Sequence, residues 1–199
     1  MMKLYKFLYS LVIPFFRALY RVKITGREKI PEGAAVVCAN HTSMLDAFFV
    51  AMVFGVKEPL IFMGKIEVFR IPVIGPLLRR IQAIPVDRGS TSMSTLREAI
   101  GRLKEGRKVM IFPEGTRVRE ENADVSGAKT GAAMIACRGA APMIPVYVSA
   151  KKRIFGRVDV IVGAPVATDS FEGSGSAKYK AVVENVFGEI LRLGNGGAK

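Results

Sequence analysis

The stretch "VVCANHTSMLDAFFV", Val36–Val50, decides the fold. Val36 to Ala39 belongs to a short apolar, β-branched run, the composition of a strand buried on both faces. Asn40 to Ser43 is polar. "SMLDAFFVAMVFG" then reads as a helix that stops at Gly55. Strand, polar turn and helix together form the repeating unit of an α/β domain.

The same unit recurs on either side. "RVKITG" reads as a short first strand, and "PLIFMG", "IQAIPV", "KVMIF", "PMIPVYV" and "RVDVIVG" as five more. "IEVFRIPVIGPLLRR" is broken by Pro72, Gly75 and Pro76 into short helical pieces. "STSMSTLREAIGRLKEG" is an amphipathic helix closed by Gly106, with Leu96, Ala99, Ile100 and Leu103 on one stripe. "SGAKTGAAMIACRG" predicts a small-residue helix and "AKYKAVVENVFGEILRL" a final amphipathic one. The expected fold class is α/β: a single layered domain, with a largely parallel central sheet flanked by helices. A length of 199 residues suits one such domain with a sizeable core. The expected organisation is an N-terminal interfacial helical segment at 1–24, a domain at 25–193 and a frayed tail at 194–199.

The charge balance says what the protein meets. The formal net charge is +13, so anionic partners are expected. Residues 1–29 alone carry seven Lys or Arg against one Glu. In "MMKLYKFLYSLVIPFFRALYRVK" these cations alternate with large apolar and aromatic side chains, and the longest uncharged run, Phe7–Phe16, is ten residues. That is too short to span a bilayer, which needs about 20. It suits an amphipathic helix lying in the membrane interface, which Pro14 should bend or divide. Packing of the same helix on the core is the alternative. The two cysteines, Cys38 and Cys137, sit in apolar settings and read as reduced thiols. One histidine and no cysteine pair leave no metal cluster to expect.

His41 is the only histidine. It follows the strand, at the lip where α/β sheets usually bind ligands. Asp46 is five residues on. An uninterrupted helix turns about 500° over that spacing, so the two meet only if His41 precedes the helix and Asp46 lies in its first turn. Ser43-Met44-Leu45-Asp46 spells a capping box, with Ser43 at the N-cap and Asp46 at the third helical position. On these residues alone the pair is either a catalytic dyad or a loop histidine beside a helix-capping aspartate. "VMIFPEGTR", Val109–Arg117, runs another strand into a turn. It carries Glu114 and Arg117, read either as a phosphate-gripping site or as a surface turn with an ion pair.

Taken together, "NHTSMLD" and "FPEGTR" resemble the HxxxxD motif and its partner block in the glycerolipid acyltransferases, most closely the bacterial lysophosphatidic acid acyltransferase group. "GKIEVFRIPVIGPLLRRIQAIPVDRG", 64–89, and "APMIPVYV", 141–148, resemble two further blocks of that family. The resemblance implies transfer of a fatty acyl group from an acyl thioester to the free hydroxyl of lysophosphatidic acid, giving phosphatidic acid. It implies His41 as base and Asp46 as its partner. Glu114, Gly115, Thr116, Arg117, Arg88 and Lys65 would bind substrate, and Lys129 and Gly131 of "AKTGAA" would open the next helix. It implies no cofactor, with acyl-CoA or acyl carrier protein as co-substrate, and a place at the cytoplasmic face of the membrane, peripheral or monotopic. Glycerol 3-phosphate or another lysolipid remain alternative acceptors.

Two other classes are open. A non-catalytic lipid-binding relative would not need His41, Asp46, Glu114 and Arg117 together. A nucleic-acid-binding module would suit the charge, but the chain has no helix-turn-helix, RNP or zinc-ligand spelling.

Overall fold

The computed structural model describes residues 2–87 and 93–196. Seven strands form one sheet: β1 (Arg21–Thr25), β2 (Ala35–Ala39), β3 (Ile61–Lys65), β4 (Ile84–Val86), β5 (Lys108–Ile111), β6 (Met143–Val148) and β7 (Arg157–Val162). Their order is β1-β7-β6-β2-β5-β3-β4. From β6 to β4 all pairings are parallel. β7 runs antiparallel to β6, and β1 lies parallel to β7 at the edge. The starts of β1 and β7 therefore lie at the same end of the sheet as the carboxyl ends of β2, β5 and β6.

Among the described residues, six α-helices cover the two faces: α1 (Met2–Leu19), α2 (Asp46–Phe54), α3 (Ile74–Arg80), α4 (Met93–Lys104), α5 (Gly131–Arg138) and α6 (Gly175–Gly196). Strand periodicity explains the layering. In β2, Val36 and Cys38 point into a core shared with Leu96 and Leu103 of α4, Ile135 of α5 and Phe187 of α6. Ala35, Val37 and Ala39 point the other way, against Ile13 and Phe16 of α1 and Phe49 and Met52 of α2. All five β2 residues are buried, as expected of a central parallel strand. The helix ending at Gly55 does so with that glycine at φ 70°, where its N–H is donated to the Ala51 carbonyl.

Several boundaries differ from expectation. Residues 21–25 pair with β7, so the last residues of the expected 1–24 segment belong to the sheet. Pro14 does not divide α1. The carbonyl it leaves unpaired is that of Ser10, and both residues are exposed, so water can satisfy the group. Of the expected frayed tail at 194–199, residues 194–196 are helical, with Gly194 close against the Tyr147 ring, and 197–199 lie outside the described residues. α1 has one buried and one exposed apolar face. Tyr5, Ile13 and Phe16 are buried, whereas Phe7, Leu11 and Phe15 are 62–63% exposed.

Candidate active site

The site lies just beyond β2. The chain leaves Ala39, crosses Asn40 to Ser43 and enters α2 at Asp46. The helix starts later than the capping box implies: Leu45 is the N-cap and Asp46 the first helical residue. Only half of the box forms. Asp46 Oδ2 accepts the Ser43 N–H at 2.7 Å, but the Ser43 hydroxyl accepts from the Leu45 N–H at 3.2 Å, two residues on. The reason is that Asp46 faces back across the turn. Its Oδ2 also accepts the Thr42 N–H at 2.7 Å and meets His41 Nδ1 at 3.2 Å.

Asp46 is fully buried, and His41 is 7% exposed. Burial pushes the Asp46 carboxyl up, but His41, the Lys152 ammonium and the Ser43 N–H outweigh it and hold the group below the usual carboxylate range. An ionised Asp46 can only accept, so His41 Nδ1 carries a proton, and in the neutral imidazole Nε2 is then the nitrogen with the lone pair. The His41 main chain is fixed on both sides. Its N–H is donated to Glu114 Oε2 at 2.6 Å, and its carbonyl accepts the Val118 N–H at 2.8 Å. Phe112 stacks on the ring, with centroids 3.8 Å apart and planes 15° apart. β2 and β5 are sheet neighbours, which is how "NHTSMLD" and "FPEGTR" come to share one site.

Glu114 does not pair with Arg117. Burial raises its carboxyl to about 7, the His41 N–H opposes that, and the Asp46 charge adds to it. Gly115 is required by its backbone: φ is 68°, and an added Cβ would sit 3.0 Å from the Lys129 side chain. The Lys129 N–H is donated to the Pro113 carbonyl, which brings the start of α5 onto the same turn. Thr116 and Arg117 are exposed on the turn, and Arg117 makes no ion pair among the described residues. Lys65 ends β3 at the same side of the sheet, with its ammonium 3.1 Å from the Glu67 carboxylate. Arg88 lies outside the described residues.

Two participants were not legible as such in the sequence. Asn40 clamps β2 to β6: Nδ2 donates to the Val148 carbonyl at 2.9 Å, and Oδ1 accepts the Val148 N–H at 2.8 Å. Lys152, in the β6–β7 loop, places its ammonium 2.8 Å from Asp46 Oδ1, with its side chain 4% exposed. The available signal was position: an asparagine ending an apolar strand, and lysines just past the carboxyl end of another.

A buried, oriented His–Asp pair at the carboxyl end of a parallel sheet is equipped to take a proton from an incoming hydroxyl. The chain belongs to the acyltransferase family, whose model matches residues 21–149. It is similar to the 1-acyl-sn-glycerol-3-phosphate acyltransferase of Bacillus subtilis, at 33% identity over 86% of this chain and 86% of that protein. A protein of the same name from Pseudomonas aeruginosa is 26% identical over 86% of this chain and 59% of its own length. Among solved structures, the 1-acyl-sn-glycerophosphate (LPA) acyltransferase PlsC of Thermotoga maritima superposes with a TM-score of 0.69 at 26% identity, covering 100% of this chain and 78% of that one.

Proposed function

We propose that this protein transfers a fatty acyl group from an acyl thioester to the free hydroxyl of lysophosphatidic acid, giving phosphatidic acid. The observation that carries the reading is the His41–Asp46 pair, with Nδ1 on the carboxylate and Nε2 left for a substrate proton. The family match and the relatives' activity support it.

The acceptor hydroxyl is a poor nucleophile until its proton is removed. It attacks the thioester carbonyl while His41 Nε2 takes that proton. Asp46, held ionised, stabilises the imidazolium. The tetrahedral intermediate collapses with cleavage of the C–S bond, and His41 returns the proton to the departing thiolate. No side chain of the protein becomes acylated. The donor is acyl-CoA or acyl carrier protein, and no metal or cofactor takes part.

Arg117 holds the substrate phosphate, with Lys65 at the end of β3 and Arg88 contributing further positive charge. Gly115 and Thr116 shape the glycerol side of the pocket. Glu114 keeps His41 in register through its main chain. Arg117→Ala is expected to raise the KM for lysophosphatidic acid by about 10- to 100-fold with a smaller effect on kcat, because a phosphate contact acts in ground and transition states alike. Steady-state kinetics in detergent-dispersed substrate measure this; an unchanged KM removes Arg117 from the phosphate site.

The protein works from the cytoplasmic face of an anionic membrane without crossing it. No helix among the described residues is long and apolar enough to span a bilayer. Phe7, Leu11 and Phe15 recur at the same face of α1. Nearby, a groove of about 770 Å³ is lined by Arg17, Arg21, Lys23 and Arg157, suited to phosphate headgroups. α1 is clamped to α2 by Phe16, whose ring lies 4.9 Å from that of Phe48 and 5.8 Å from that of Phe49. Seating α1 on a bilayer therefore sets the height of the helix that carries Asp46. The exposed Ile71, Val73 and Ile74, past the carboxyl end of β3, offer a second apolar contact.

Deleting α1 would also remove core side chains, so substitution is the cleaner test. Phe7→Ser, Leu11→Ser and Phe15→Ser together are expected to cut binding to anionic vesicles at least tenfold, at about 1 kcal/mol or more per inserted side chain, with an unchanged unfolding temperature. Undiminished sedimentation with vesicles moves the anchor elsewhere.

A further inference from the structure

The deepest cation of the site is Lys152. Its side chain is 4% exposed, and the carboxylate it faces is 0% exposed. Besides the 2.8 Å contact to Asp46 Oδ1, its ammonium donates to Thr42 Oγ1 at 2.9 Å and to the Ser149 carbonyl at 2.7 Å. The loop that carries it is itself fixed. The Ser149 N–H is donated to the Asp159 carbonyl at 3.0 Å, and Ser149 Oγ accepts the Asp159 N–H at 3.1 Å. Asp46 thus divides its two oxygens: Oδ2 serves His41 and the turn, and Oδ1 serves Lys152.

That division has an electrostatic consequence. A lone buried carboxylate beside an imidazole strongly favours the imidazolium. A base that is already protonated cannot accept a proton from substrate. An ammonium on the far oxygen offsets part of the carboxylate field while leaving its geometry intact. Among the described residues, the charged groups facing the pair are few. Lys152 comes from the β6–β7 loop, and Glu114 from the turn after β5. Its neighbours Lys151 and Arg153 are exposed.

We propose that Lys152 is a positioning residue that sets the pH range in which His41 works, by compensating Asp46 on its far side. It touches no substrate atom. It acts on His41 through Asp46, and it anchors Thr42, so that the turn holds the ring against the carboxylate. This rests on the reading of His41 as the base, but its test need not.

Because His41 is the only histidine, its ring resonances in an untagged protein report one titration. Lys152→Gln keeps a donor for Thr42 and Ser149 but removes the charge; Lys152→Arg keeps the charge. In Lys152→Gln the His41 midpoint is expected to move up by about 0.5–1 pH unit, and in Lys152→Arg by less than about half as much. The acid limb of kcat/KM should move by the same amount. On the acid side of the midpoint, activity then falls about three- to tenfold and recovers towards alkaline pH. Glu114 is present in all variants and cancels in the comparison. If Lys152→Gln does not fold, the same difference is read between the parent and Lys152→Met, which fills a similar volume without the charge and keeps Asp46. Equal midpoints in the pair compared overturn the proposal and leave Lys152 a structural strut. A shifted midpoint with an unmoved rate profile counts against His41 as the base and leaves the electrostatic link standing.

Discussion

Replacing His41 by alanine is expected to lower acyl transfer by roughly 10³- to 10⁴-fold while the domain stays folded. The rate effect follows from Nε2, the one ring nitrogen not engaged by Asp46. Without it the acceptor hydroxyl must attack with its proton in place. The fold should survive because the bonds that fix this stretch are main-chain ones. The residue-41 N–H still reaches Glu114, and the carbonyl still accepts from Val118. What is lost is the ring on Phe112 and a buried hydrogen bond, at a cost of about 1–3 kcal/mol. Turnover and thermal unfolding measured on the same preparation separate the two effects. Activity within tenfold of the parent would remove His41 from the chemistry.

Asp46→Ala should be damaging in both respects. It removes the acceptor of the Thr42 and Ser43 N–H groups and of His41, and leaves the Lys152 ammonium buried with no counter-charge. Stripping one partner from a buried pair costs about 3–5 kcal/mol. That is a large part of what a domain of this size has to spare. Asp46→Asn keeps the shape and an acceptor, so it should be less destabilising. Its turnover should still fall by about 10³-fold or more, since the imidazolium loses its counter-charge. The pH dependence has a definite sign. A carboxyl whose pKa is lowered on folding stabilises the protein above its unfolded value of about 4, and that contribution is lost as pH falls through the folded value. The gap in stability between the parent and Asp46→Ala should therefore be full at pH 7 and shrink below about pH 4. Urea denaturation at several pH values measures it; a variant as stable as the parent would mean that the buried network contributes nothing.

Most of the sheet was readable because each strand is a short apolar run bounded by a turn residue. β2 is the clearest instance, and its burial on both faces is what a run without polar alternation means. The His–Asp pair was readable for a related reason: one polar cluster lies where strand gives way to helix. The local spelling places the helix start two residues early, because Ser43 spells a cap while Asp46 is drawn back by His41 and Lys152, contacts no four-residue pattern contains. Lys152 was hidden among Lys151, Lys152 and Arg153. Which of the three turns inward depends on the antiparallel return of β7, a tertiary fact. One face of α1 packs on the core through Ile13 and Phe16, and the opposite face leaves Phe7, Leu11 and Phe15 exposed. Charge and aromatic content alone do not say which side chains meet α2.

The most direct test of the central claim is an acyl-transfer assay with the purified chain. Lysophosphatidic acid, glycerol 3-phosphate and other lysolipids would each be offered with acyl-CoA and with acyl carrier protein thioester. Phosphatidic acid should form from lysophosphatidic acid with at least one donor, at a rate well above that on the other acceptors, and should vanish with His41→Ala. Absence of product from lysophosphatidic acid with both donors, or faster turnover of glycerol 3-phosphate, would contradict the function proposed here.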